Sequence, residues 1–200
     1  MRKALNHLKR SDPVMKEIIE RVGPYKIQYR EPVFETLVRS IVYQQLSGKA
    51  AATIFGRLTA ATGEPMTPAA ILKLSPKKMQ SLGLSRQKRD YIRDLAQKTM
   101  AGELDFDTCA DHDDDELIRR FTTVKGVGVW TVHMFLIFAL RRPNVLPVGD
   151  LGVRSAIQKA YGLEGMPKPA EVEQIAESWH PYCSVASWYL WRSLDNPAAM

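Results

Sequence analysis

Two glycines set one residue apart, Gly126 and Gly128, sit in the run Thr122-Thr123-Val124-Lys125-Gly126-Val127-Gly128-Val129-Trp130-Thr131, just ahead of an apolar helical stretch from Val129 to Leu140. A Gly-x-Gly at a helix start permits a tight turn whose backbone N–H groups face outward. The amides donate, the helix dipole adds partial positive charge, and the missing Cβ atoms let an anion come close. Phosphate suits such a site, which reads charge rather than base sequence. The same spacing also serves an ordinary helix–helix turn without a ligand. A second basic helix start, Gly83-Leu84-Ser85-Arg86-Gln87-Lys88-Arg89, offers Ser85 as an N-cap and its amides with Lys88 as further phosphate donors. A solvated basic helix face is the alternative there. Downstream, Asp150 follows Gly149 and precedes the helical run Leu151 to Tyr161. An aspartate so placed is an N-cap, its carboxylate facing the positive end of the helix dipole.

Metal chemistry has little support. Cys109 and Cys183 are the only cysteines, too few for a four-thiolate iron–sulfur cluster and not spaced as a zinc site, and His7, His112, His133 and His180 are scattered. The acidic run Asp111 to Glu116 is read as the cap of a helix beginning near Asp114, with a carboxylate metal site as the other reading.

The elements that must position these groups are helices. Apolar residues recur at helical spacing along the chain and sustained alternation of period two is absent, which predicts an all-α fold. Starts are marked by Ser11-Asp12-Pro13, Glu31-Pro32, Thr67-Pro68 and Ser75-Pro76, and stops by Gly23, Gly63, Gly83, Gly102 and Gly162. These signals cut the chain into about ten short helices. With 200 residues, 45% of them hydrophobic, the chain can bury a sizeable core. Its net charge of +6 favours a polyanionic partner. The basic segment Met1 to Arg10 has no apolar run behind it and is not read as a secretory signal, and Val132 to Leu140 is too short to span a bilayer. These features suggest a soluble, intracellular protein.

Four ordered segments carry a resemblance. The Thr122–Thr131 hairpin is followed by Leu146-Pro147-Val148-Gly149-Asp150-Leu151-Gly152-Val153, preceded by Ser40-Ile41-Val42-Tyr43-Gln44-Gln45-Leu46-Ser47-Gly48-Lys49-Ala50-Ala51, and succeeded by the segment Trp179 to Trp191. Together they resemble the helix-hairpin-helix (HhH-GPD) DNA glycosylase superfamily, most closely the compact 3-methyladenine glycosylases of the alkylation-repair branch. The resemblance implies a single two-lobed helical domain over 1–200, with a DNA-binding and catalytic cleft between lobes and no added N-terminal β-domain. It implies a cytoplasmic protein, nucleoid-associated in a bacterium or archaeon, that acts in base excision repair as a monomer on double-stranded DNA holding a damaged base.

By the same resemblance Asp150 is the catalytic carboxylate, stabilising the oxocarbenium-like charge that develops as a glycosidic bond breaks. A purine alkylated at a ring nitrogen is already cationic and leaves without a general acid. Members that also nick the strand use a lysine two residues after the second hairpin glycine, where this chain has Trp130, so a monofunctional enzyme leaving an abasic site is expected. Trp130 and Trp191 match aromatic positions of the base pocket, with Tyr43 and Trp188 as further candidates; aromatics at helical spacing also serve as core. Gln45, Leu46 and Ser47 correspond to the turn that fills the gap left by an extruded base. Read alone, Leu46 suits a core position and Gln45 a helix C-cap equally well. Gly126, Gly128 and Val129 correspond to phosphate-binding positions, and the carbonyls of Thr122, Val124 and Val127 to those holding a monovalent cation, Na⁺ or K⁺. No other cofactor and no iron–sulfur cluster are expected. Met134 stands where relatives often carry an aromatic, and Cys183 where they often carry arginine. A glycosylase for another damaged purine and a non-catalytic, structure-selective DNA-binding protein are the competing functions.

Overall fold

The protein is described by a computed structural model over residues 1–195, and among these the regular structure is entirely helical. Twelve α-helices are present: α1 Arg2–Ser11, α2 Pro13–Val22, α3 Phe34–Tyr43, α4 Gly48–Thr62, α5 Pro68–Lys73, α6 Pro76–Ser81, α7 Arg86–Met100, α8 Asp114–Phe121, α9 Val129–Phe138, α10 Leu151–Ala160, α11 Pro169–Ala176 and α12 Cys183–Leu194. The start signals act through side-chain caps. Asp12 accepts from the Val14 and Met15 amides, and Thr67, Ser75 and Ser85 each accept from the third residue of the helix they open. Gly23 and Gly63 are C-caps with positive φ, whereas Gly83, Gly102 and Gly162 fall one residue beyond the cap. Helices α1 and α11 exceed the ten or so that the punctuation marks, because neither opens on a side-chain cap of the Ser/Thr/Asp kind. None of the helices among the described residues is long and apolar enough to cross a membrane.

The described chain divides into two compact units: residues 30–135 form one, and residues 1–29 with 136–195 form the other, the division falling inside α9. In the contiguous unit, α3 and α7 bury Leu37, Val38, Ile41, Ile92 and Leu95. Phe106 stands edge-on to Phe34, Phe121 and Phe135, closing the core under the hairpin between α8 and α9. The discontinuous unit packs α1 and α2 with α10, α11 and α12 around Leu8, Met15, Ile18, Ile157, Trp179 and Tyr189. A charged group lies in this core beneath its cap: Asp12 also accepts the Trp179 Nε1 proton at 2.7 Å and the Tyr161 hydroxyl proton. Hydrogen bonds to a carboxylate contribute about 1.5–3 kcal/mol each, enough to offset its burial.

Candidate functional site

In the contiguous unit the hairpin is pinned from several sides. Val124 and Val127 are buried, and the Val127 amide donates to the Val124 carbonyl at 3.1 Å. The Lys125 amide donates to Asp94 Oδ2 of α7 (2.9 Å), while Gln44 Nε2 at the end of α3 donates to the Gly126 carbonyl (2.9 Å). Gly126 has φ 76°, and a Cβ there would lie 2.0 Å from the Tyr91 ring, so glycine is required twice over. Gly128 differs: a Cβ on it would meet nothing within 4 Å. Nothing in the protein demands that glycine, which leaves room for an external group to approach the backbone at the exposed start of α9. The acidic run upstream is a cap, Asp113 accepting from the Glu116 amide at 2.7 Å and Glu116 pairing with Arg119 and Arg120. Among the described residues no group of three or more His, Cys, Asp or Glu side chains could hold a metal ion.

Beside the hairpin lies a cavity of about 550 Å³. Its walls include Tyr43, Gln44, Gln45, Lys88, Trp130 and Met134, so several residues chosen from the sequence come together in one place. Trp130 is 49% exposed at the first turn of α9. One face of Tyr43 is already taken by the Arg39 guanidinium, 3.7 Å from the ring centroid. The α3–α4 turn next to it points outward. Gln44, not Gln45, caps α3; Gln45 takes a left-handed φ of 55°, Leu46 is 39% exposed, and Ser47 caps α4 through the Ala50 amide. Leu46 is therefore not a core residue. Ser85 caps α7 through the Lys88 amide at 3.3 Å. The Lys88 side chain, read from sequence as a phosphate donor, turns onto the end of α3: its Nζ donates to the carbonyls of Val42 and of Gln44, the latter at 2.6 Å. Partial burial holds its pKa below the ordinary lysine value. No local pattern announces this contact, because the partners are more than forty residues apart in sequence.

In the discontinuous unit Asp150 is the N-cap of α10 and only 8% exposed. Its Oδ1 accepts from the Val153 amide and from Trp191 Nε1, both at 2.8 Å. The indole of Trp191 stacks on Phe138 with ring centroids 5.7 Å apart and planes inclined by 23°. Gly152 makes the arrangement possible: a Cβ there would lie 2.9 Å from Trp191 Cδ1 and 3.1 Å from Asp150 Oδ1. Trp191 thus orients the carboxylate, a role its sequence position does not disclose. Of the two readings the sequence left for Trp188, a further pocket candidate or a core aromatic, its burial fits the second. It is 7% exposed and meets Tyr25 and Tyr189 edge-to-face at 4.6 and 4.9 Å, which makes it part of the core. Cys183 is buried as well, and burial pushes its thiol pKa up to about 12.

A family model described as "HhH-GPD superfamily base excision DNA repair protein" matches residues 38–181. The chain is 34% identical over 198 residues to DNA-3-methyladenine glycosylase 1 of Schizosaccharomyces pombe, covering 96% of this chain and 86% of that protein. The structure of the 3-methyladenine DNA glycosylase Mag1 from that yeast in complex with abasic DNA superposes with a TM-score of 0.84, covering 94% of this chain and 95% of the other at 34% identity. A DNA-3-methyladenine glycosidase from Bacillus halodurans gives a TM-score of 0.87 at 32% identity, covering 98% of this chain and 90% of that one.

Proposed function

This chain belongs to the HhH-GPD superfamily of base excision DNA repair proteins, and from that premise we propose that it is a monofunctional DNA glycosylase that excises alkylated purines such as 3-methyladenine from duplex DNA and leaves an abasic site. The observation that carries this reading is the fixed carboxylate. Asp150 is held by two N–H donors on a single oxygen at the start of a helix, so its direction is set before substrate arrives. As the bond from N9 to C1′ lengthens, positive charge grows on the sugar and the carboxylate opposes it at no reorganisation cost. A ring-alkylated purine departs neutral, its positive charge cancelled by the bonding pair it takes. Water then adds to C1′, and the proton it sheds passes to solvent. One carboxylate is enough for this sequence, in contrast to the pair needed by ordinary glycosidases.

Trp130 and Tyr43 supply aromatic faces for a cationic base, each worth about 0.5–2 kcal/mol, with Arg39 leaving Tyr43 a single face to offer. Leu46 with its neighbours Gln45 and Ser47 fills the gap in the stack. The amides at Gly126, Gly128, Val129 and the Ser85 helix start hold phosphates, and the hairpin carbonyls of Thr122, Val124 and Val127 would hold a Na⁺ or K⁺ ion, which would supply further positive charge for the phosphate.

Asp150→Asn is the decisive variant. The amide oxygen still accepts from the Val153 amide and Trp191, so the fold should persist, while release of bases from methylated DNA should fall about 10²–10³-fold. Undiminished release would refute the role of Asp150; no release by either protein would favour a DNA-binding protein without turnover. Because Trp130 replaces the lyase lysine, borohydride should trap no covalent protein–DNA adduct, and an adduct would contradict monofunctional action.

A further inference from the structure

We propose that Lys88 is a positioning residue that holds the α3–α4 turn in its outward, base-replacing shape, rather than a ligand of DNA phosphate. The inference rests on the reading above that this turn enters the duplex. Its starting point is a misfit of charge. Lys88 is the third residue of α7, following the Ser85 cap, where the helix dipole disfavours a cation. The ammonium leaves that field and lies against the last carbonyls of α3, donating to Val42 and Gln44. A helix C-terminus leaves its final carbonyls without intrahelical partners and carries partial negative charge, so the same cation that is misplaced on α7 is well placed on α3.

The turn that follows needs such a hold. Gln45 is a non-glycine residue at φ 55°, a conformation that persists only when its surroundings enforce it. Lys88 fixes the backbone immediately before it, and the Gln44 side chain ties the same residue to the Gly126 carbonyl of the hairpin. The Tyr91 ring, one turn along α7, lies against Gly126 and is hydrogen-bonded to Gln87. The α7 start, the hairpin and the α3–α4 turn are thereby joined through Gln44 and Lys88, and the exposed Leu46 is presented from a braced base instead of a free loop.

The test uses the full chain and a duplex carrying an abasic-site analogue beside 2-aminopurine, whose fluorescence rises when it is unstacked. Leu46→Ala, Lys88→Met and the double variant are compared with wild type, with Lys88→Arg as the conservative rescue and Lys88→Gln as the milder variant should Lys88→Met fail to fold. Losing a charge-assisted hydrogen bond of the usual strength should reduce the unstacked population roughly tenfold in Lys88→Met. Little further loss is expected when Leu46→Ala is added, because the two act through one element, and Lys88→Arg should recover most of the signal. The slope of log affinity against log salt on undamaged DNA should match wild type. A slope shallower by about 0.9, as for one lost phosphate contact, or additive losses in the double variant, would overturn the proposal. A full fluorescence gain with Leu46→Ala would show that the turn does not enter the duplex and would overturn it too. Absence of base release by wild type, with the fluorescence pattern as expected, would instead count against the glycosylase reading alone and leave Lys88 its role.

Discussion

Replacing Gly152 with alanine should separate activity from stability. Gly152 is the second residue of α10, where alanine gains up to about 1 kcal/mol of helix propensity over glycine. The added Cβ would sit 2.9 Å from Trp191 Cδ1, well inside the ~3.5 Å at which carbon atoms begin to repel. The indole must therefore move by several tenths of an ångström or more. It cannot move freely toward Phe138, on which it is stacked. The 2.8 Å bond from Nε1 to Asp150 Oδ1 is the contact left to stretch, and a hydrogen bond to a carboxylate is worth about 1.5–3 kcal/mol. If that loss appears in the transition state alone, it corresponds to roughly 10–150-fold in rate. The Val153 amide remains as a donor, which keeps the cap. Single-turnover base release at saturating enzyme, measured beside thermal unfolding, should show a fall of that size with an unfolding midpoint no lower than wild type. Wild-type release would refute the claim that Trp191 orients Asp150. A parallel loss of stability would mean that the new Cβ disturbs the core instead.

The two hairpin glycines should respond in opposite ways. Gly126→Ala should lower the unfolding midpoint, since the substituent meets the Tyr91 ring at 2.0 Å and φ is 76°, whereas Gly128→Ala should leave the midpoint unchanged and weaken DNA binding by about tenfold in a titration, because its Cβ occupies only the space open to a phosphate. Equal effects of the two on stability would contradict this. Cys183, with its thiol pushed up to about 12 by burial, should have about 10⁻⁴ of its population as thiolate at pH 8. Alkylation by iodoacetamide should require denaturant, and rapid native-state labelling at Cys183 would refute the assignment.

What could be read from the residues themselves was mostly local. Asp12, Thr67, Ser75, Ser85 and Asp150 all act as caps where their sequence neighbours place them, because a cap is decided within four residues. The hairpin and the apolar α9 are equally legible, and the ordered segments carried the family likeness that composition alone could not. Trp188 and Trp191 show where local reading ends. Three residues apart on α12, they share a helix side and a residue type, yet one is enclosed by Tyr25 and Tyr189 and the other reaches Asp150. Periodicity tells that both face inward and says nothing about what lies there. The contacts of Lys88 are hidden from sequence for the same reason. Its charge suits phosphate, and only the fold brings the carbonyls of α3 within its reach.

The division of the chain also orders its assembly. The segment 30–135, which carries the glycine hairpin, is continuous, while the unit that carries Asp150 is built from both flanks of it. During synthesis from the N-terminus, the hairpin's unit has all its residues once α9 has emerged as far as Phe135. Helices α1 and α2 must wait with Leu8, Met15 and Ile18 uncovered until α12 supplies Tyr189 and Leu190, a delay that exposes apolar surface to premature association. A nascent chain halted between Phe135 and Asp150 would possess the backbone turn suited to gripping phosphate and lack the carboxylate altogether, so the turn is in place before the group proposed to act on the sugar has been made.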